Sequence, residues 1–171
     1  YPLFAAQADY FSGNTQRAWQ NYLLAKTSLL NTIKELDFNF LTWLVDRNTE
    51  LSNFAEADGL SRAMIQWMDT ETDRFSPEAR ARVLLSYANI AFSRPEYPRA
   101  KALYGQIAAA KEFEGLRERD RAELRIAEVD RLTGQPQEAI GRLEKLLRRP
   151  DPFVQIEAHY QMALVKADQE E

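Results

Sequence analysis

The 171-residue chain has no cysteine. That absence removes disulfide bonds, thiolate catalysis and cysteine-based metal sites together, while leaving the compartment open. Histidine is almost as scarce. His159 stands alone, and one imidazole does not hold a metal without other ligands, so no metal and no cofactor are expected. The six glycines lie singly along the chain, so no glycine-rich loop is present to cradle a phosphate. No nucleophile with an adjacent base stands out. Carboxylates such as Glu35 with Asp37, or Asp69 with Glu71 and Asp73, stand two apart, a spacing that points them to different sides of a helix. The expectation is a chain that is not an enzyme. The remaining enzymatic reading, a helical sugar-processing or lyase domain, needs a single glutamate in a groove lined by aromatics.

Long apolar runs are missing too. Stretches such as residues 40–45 fall far short of the roughly 18 residues a membrane-spanning helix requires, and no direct membrane insertion is expected. The net charge is −4 and the pI near 5.2, with acid gathering toward the C-terminal end. Nucleic acid binding calls for a concentrated basic footprint, and none appears. The chain opens at Tyr1 with no basic-then-apolar leader, which reads as a processed form or a fragment of a longer protein.

What is present is helical punctuation. A hydrophobic fraction of 45% and a charged fraction of 28% suit a folded chain. From Ala81 to Phe113 the apolar residues Leu84, Tyr87, Ala88, Ala91 and Phe92, then Ala100, Leu103, Tyr104 and Ile107, fall at helical spacing on either side of Arg94-Pro95-Glu96. That pattern is a helical hairpin. Ala88 and Ala100 let two backbones approach closely, and Tyr87, Tyr97 and Tyr104 fill the gap. Ser76-Pro77-Glu78 opens this hairpin with a capping hydroxyl, a ring preset for the first turn and a carboxylate facing the helix dipole.

The first segment repeats the pattern with Ala6, Tyr10, Gly13, Ala18, Tyr22 and Ala25. Gly13 suits a left-handed helix end and Asn14 a cap, and the helical period is expected to continue through Leu29, Leu30, Ile33 and Leu36. A less regular hairpin follows. It is expected to have a helix through Phe40, Trp43, Leu44, Leu51 and Phe54, a turn at Asp58-Gly59 and a helix through Ala63, Ile65 and Trp67. After Phe113 comes a charged helix with Leu116, Leu124, Ile126, Ala127, Val129 and Leu132 on its buried side, ended by Gly134. Pro136, Ala139, Leu143, Leu146 and Leu147 then form a second helix. Units of about 1–36, 37–75, 76–113 and 114–150 result, with a terminal helix over 151–171, and Ala18, Ala63, Ala100 and Ala139 as their equivalent small residues.

This pattern of paired small residues flanked by aromatics resembles the tetratricopeptide repeat, in irregular and extended units. The resemblance implies an all-α, right-handed α-solenoid of stacked helical hairpins forming a single array over 1–171, since one hairpin cannot bury both its faces. It also implies that a ligand lies along the first helices. The residues that map there are Gln7, Tyr10 and Phe11; Asn48, Ser52 and Glu56; Arg82, Leu85, Asn89 and Phe92; and Arg121, Leu124, Glu128 and Arg131. Arg125 joins Arg82 and Arg121 as a guanidinium able to face an acidic partner. Amides, guanidiniums and aromatics together suit an extended peptide. The plain alternative for Tyr10, Phe11 and Phe92 is packing between repeats. Some members of the family hold a C-terminal carboxylate with lysines, asparagines and an arginine. Asn89 and Arg125 stand at steps of that set, but Leu85, Asn48 and Arg121 replace its lysines, so that ligand is not expected.

The expected function is therefore a non-enzymatic protein-protein interaction scaffold that binds a peptide segment or a partner domain. Two other readings remain open. One is a structural module of a bacterial envelope or secretion assembly, toward which the preference for arginine over lysine and the lack of cysteine lean, with a location in the periplasm or cell envelope and the cytoplasm as the alternative. The other is a ligand-sensing domain of a longer protein.

Overall fold

The computed structural model of the chain describes residues 1–170, and among the described residues every regular element is a helix. They are α1 (Pro2–Phe11), α2 (Thr15–Ala25), α3 (Leu29–Thr32), α4 (Phe38–Glu50), α5 (Phe54–Thr70), α6 (Pro77–Ser93), α7 (Tyr97–Ala109), α8 (Arg117–Leu132), α9 (Pro136–Leu146) and α10 (Pro152–Glu170). Residue 171, the last position of the expected terminal helix, lies outside the described residues. The chain divides into two compact units, Tyr1–Tyr87 and Ala88–Glu171, with the boundary inside α6.

One turn recurs four times. It joins α1 to α2, α4 to α5, α6 to α7 and α8 to α9, each time in three residues. The third turn residue donates its N–H to the carbonyl five positions back: Asn14 to Asp9 (2.9 Å), Asn53 to Asn48 (2.8 Å), Glu96 to Ala91 (2.9 Å) and Gln135 to Asp130 (2.7 Å). The middle residue takes a positive φ at Gly13 (80°), Ser52 (61°) and Gly134 (72°). The fourth residue of each following helix is a fully buried alanine, Ala18, Ala57, Ala100 or Ala139, and its N–H bonds the carbonyl of the residue before the helix, at 3.0, 3.1, 2.9 and 3.2 Å respectively. Twelve residues earlier stand Ala6, Val45, Ala88 and Ala127, also buried. Seven of these eight places are alanine and the eighth is Val45, and the small side chains let the paired helices close on each other.

Two sequence expectations are corrected here. The turn of the second pair lies at residues 51–53, not at Asp58-Gly59, which sit inside α5. The equivalent alanine is accordingly Ala57 and not the half-buried Ala63. A glycine in a helix costs only about 1 kcal/mol and need not end it, and a Cβ added at Gly59 would meet nothing within 4 Å. Ser52 takes up the left-handed conformation that glycine fills in the first and last pairs. Likewise, the helix expected to continue to Leu36 stops at Ala25 and resumes as short helical pieces at residues 26–35. There the Ser28 hydroxyl donates to the Ala25 carbonyl (2.9 Å) and the Thr32 hydroxyl to Ser28 and Leu29 (both 3.3 Å). Such local bonds compete with helix continuation.

The caps read from sequence are in place. Asn14 accepts from the Arg17 N–H (3.2 Å) and Ser76 from the Ala79 N–H (3.2 Å). In the first unit an aromatic core joins Tyr10, Trp19, Tyr22, Phe40 and Trp43, and a second cluster stacks Phe38, Trp67 and Phe75. The second unit is aliphatic, with Leu124, Ala127, Ala139, Leu143, Leu146, Val154, Ala158 and Val165 packed together. Beside that core lies a fully buried carboxylate, Asp130, met by Lys101 at 2.5 Å and Arg142 at 3.2 Å, while Arg142 also reaches Glu123 at 2.8 Å.

Candidate functional site

The four alanines fix a common register. Counting back 18, 15, 11 and 8 residues gives Asn39, Thr42, Asp46 and Thr49 in the second pair, Arg82, Leu85, Asn89 and Phe92 in the third, and Arg121, Leu124, Glu128 and Arg131 in the fourth. The first pair supplies Leu3, Gln7 and Tyr10 at the last three steps. One step is polar in every pair: Gln7, Asp46, Asn89 and Glu128. These steps recur on the first helix of each pair, so they mark comparable positions within each unit.

In the first unit they converge on an open groove of about 580 Å³ lined by Tyr10 and Phe11 of α1, Asn39, Thr42, Trp43 and Asp46 of α4, and Arg82 of α6. Its floor is aromatic. Tyr10 lies 5.1 Å from Trp43 and 5.1 Å, edge on, from Phe11, and Trp43 stacks on the buried Phe40 at 5.9 Å. Arg82 is exposed and donates to the Asn39 side-chain oxygen (2.7 Å), which joins two residues of the groove lining. Burial pushes the Asp46 carboxyl up, and Glu50 adds to the shift, against the hydrogen bond from Ser86 and the nearby Arg82. A half-buried carboxylate that resists ionisation gains from a donor or cation brought in by a ligand. The groove thus offers an aromatic platform, one anionic and one cationic group, and hydrogen-bonding side chains.

The second unit carries its own cluster. Arg125 lies over the Phe92 ring at 5.0 Å and donates to Glu128 (2.6 Å), and Phe92 meets Tyr97 edge on at 5.9 Å. Asn89 accepts from the Tyr104 hydroxyl (2.6 Å), and burial holds that phenol well above its usual range. Arg121 is exposed.

Of the residues expected from sequence, Tyr10, Phe11 and Arg82 meet in the first unit's groove, and Phe92, Arg125 and Glu128 meet in the second unit. Gln7 is engaged elsewhere, its side-chain oxygen accepting the Asp37 N–H at 2.6 Å. Asn48 is buried, donating to the Leu44 carbonyl (2.8 Å) and the Tyr22 hydroxyl (3.2 Å), and so ties α4 to α2 of the preceding hairpin. The residues missed are Asn39, Thr42, Trp43 and Asp46. Placing the second turn at Ser52-Asn53, with Ala57 as the small residue, would have found three of them at once. Among the described residues no group of three histidine, cysteine, aspartate or glutamate side chains is placed to hold a metal, and no helix is long and apolar enough to cross a membrane. Set against protein-family models, curated proteins and solved structures, the chain matches none.

Proposed function

We propose that this chain is a non-enzymatic protein-binding scaffold of tetratricopeptide-like type, and that the first unit's groove takes an extended peptide segment of a partner. The observation that carries the reading is the convergence of Tyr10, Phe11, Trp43, Asp46 and Arg82, from three different helices, on one open groove. An aromatic floor supplies apolar contact, and Arg82 and Asn39 offer donors for backbone carbonyls or a carboxylate. Asp46 favours a ligand that brings a donor or a cation, since ionised Asp46 is under-solvated where it stands. The recurring turn and the alanine at the fourth place of each second helix support the tetratricopeptide reading. The register also puts a polar side chain at the same step of every first helix, Gln7, Asp46, Asn89 or Glu128.

The test is a peptide display selection on the full chain, followed by affinity measurement on the enriched sequences. Trp43→Ala and Arg82→Ala are each expected to weaken binding at least tenfold, about 1.4 kcal/mol or more, with Asn89→Ala in the other unit as a control that leaves it unchanged. Peptides that bind the Trp43→Ala and Arg82→Ala chains as tightly as the original would remove the groove from consideration.

A further inference from the structure

The chain is acidic as a whole, with a net charge of −4, yet one cavity in the second unit is strongly basic. It measures about 320 Å³ and is lined by Glu123 of α8, by Arg142, Lys145 and Leu146 of α9, and by Arg148 and Arg149 of the turn that follows. Four cations face one carboxylate. Arg142 and Lys145 stand three apart, and Lys145 stands three before Arg148 and four before Arg149, spacings at which like charges on a helix repel. A row that costs stability by itself calls for a reason.

Two local reasons exist for cations at a helix end, and neither accounts for all four. The first is capping, in which basic side chains bond the last carbonyls. Those carbonyls have other partners here. The Leu143 carbonyl accepts from the Leu147 N–H (2.9 Å), that of Lys145 from Arg148 (3.2 Å), that of Leu146 from Arg149 (3.0 Å), and that of Arg149 from the Gln155 side-chain amide (2.6 Å). The second reason is ion pairing. Arg142 is held on two sides, its Nε donating to Asp130 (3.2 Å) and a terminal nitrogen to Glu123 (2.8 Å), and Arg149 lies 3.2 Å from Asp120. Lys145 and Arg148 are exposed, and among the described residues neither meets a carboxylate. Asp130 already has Lys101 as a second cation, so four cations set against Glu123 and Asp120 leave two positive charges unmatched.

We infer that this cavity binds a phosphate monoester. Such a group carries about −1.5 to −2 at neutral pH and presents three acceptor oxygens, which suits two unmatched cations, whereas a single carboxylate leaves one of them over. Arg142 and Arg149 are fixed from α8 before any ligand arrives. A guanidinium has five N–H donors, and those not spent on the α8 carboxylates are aligned for phosphate oxygens. The volume lies at the low end for ligand pockets, which start at about 300 Å³. Leu146 is the one apolar residue of the lining, and no aromatic ring is there to stack a base, so the body that carries the phosphate is small and polar. Side chains hold the group, and no glycine-rich loop is needed. The inference does not rest on the groove of the first unit, since the two sites share no residue.

Calorimetric titration of the full chain at constant ionic strength tests it, with glycerol phosphate, a phosphoserine peptide, the same peptide unphosphorylated, and succinate as probes. Saturable binding of at least one phosphate probe is expected, weakened about tenfold or more by Lys145→Gln and by Arg148→Gln and unchanged by Lys111→Gln, an exposed lysine outside the cavity. Binding of glycerol phosphate marks a small phosphorylated metabolite as the source. Binding of the phosphoserine peptide alone, and not of its unphosphorylated form, marks a modified protein, and either result supports the site. Both cavity substitutions lie at exposed positions, so the helical circular dichroism is expected to stay intact. Succinate bound as tightly as the phosphate probes would show a merely basic surface and overturn the proposal. Phosphate binding that survives both substitutions, or no saturable binding of either phosphate probe, would overturn it equally.

Discussion

At the scale of single residues, the positions that matter most are small. Ala18, Ala57, Ala100 and Ala139 have no exposed surface, and each lies where a second helix crosses a first. Added methylenes at such a site have nowhere to go without separating the backbones. Ala100→Leu is therefore expected to lower the unfolding free energy by about 1–3 kcal/mol, measured by urea unfolding. The same change at the half-buried Ala63 should cost less than half as much. Equal effects at the two positions would contradict the register assigned here. The polar step of the register behaves differently. Asp46 and Asn89 occupy the same place in their pairs, yet Asn89 is held by the Tyr104 hydroxyl while Asp46 faces the groove.

At the scale of elements, the four turns show how one backbone path is reached through different sequences. Gly13 and Gly134 adopt positive φ without penalty, whereas Ser52 holds φ 61° with a Cβ in place. An L-residue with a side chain pays roughly 1 kcal/mol for that conformation. Ser52 is exposed, so Ser52→Gly is expected to stabilise the chain by up to about 1 kcal/mol, read as a rise in thermal midpoint. A fall would show that the serine hydroxyl holds the turn. The turn was hard to place from sequence for this reason. Gly59 looks like a breaker and is helical, while Ser52 looks ordinary and carries the left-handed residue. The segment at residues 26–35 tells the same story from the other side. Its apolar spacing suits a helix, and hydroxyls bonding nearby carbonyls divide it into short turns.

At the scale of the whole molecule, carboxylates fix much of the surface between helices. Glu71 accepts from Lys34 at 2.6 Å and from Arg74 at 3.1 Å, and the bond from Lys34 above all holds its carboxyl down from the ordinary 4.5 to about 2. Glu56 is lowered by its own backbone N–H and by Lys26, and Asp151, in the second unit, by the Phe153 N–H and Arg117. A depressed carboxylate favours the folded state above its unfolded pKa, and that contribution disappears as pH falls through the folded value. The contribution of Glu71 to the first unit is thus expected to be present near neutrality and to be lost as pH falls from about 4.5 to about 2, and that of Asp151 to the second unit to be lost as pH falls below its ordinary value. Glu71→Gln should flatten the thermal midpoint over that window relative to the original chain. An unchanged pH profile in this variant would show that the Lys34 and Arg74 bonds contribute nothing in solution.

The sequence by itself determined that the chain is helical, where most of its helices begin and which alanines the hairpins close on in three pairs of four. Those features are local: spacing at the helical period, capping side chains and prolines act within a turn or two of where they stand. It also put Tyr10, Phe11 and Arg82 on the first helices of their units, while the tertiary structure set them in one groove. Only the tertiary structure decided that Asn48 turns inward to Tyr22 while Asp46, two residues before it, opens into the groove. Two residues along a helix is a rotation of about 200°, and an error of a few residues in one turn therefore exchanges a core side chain for a functional one.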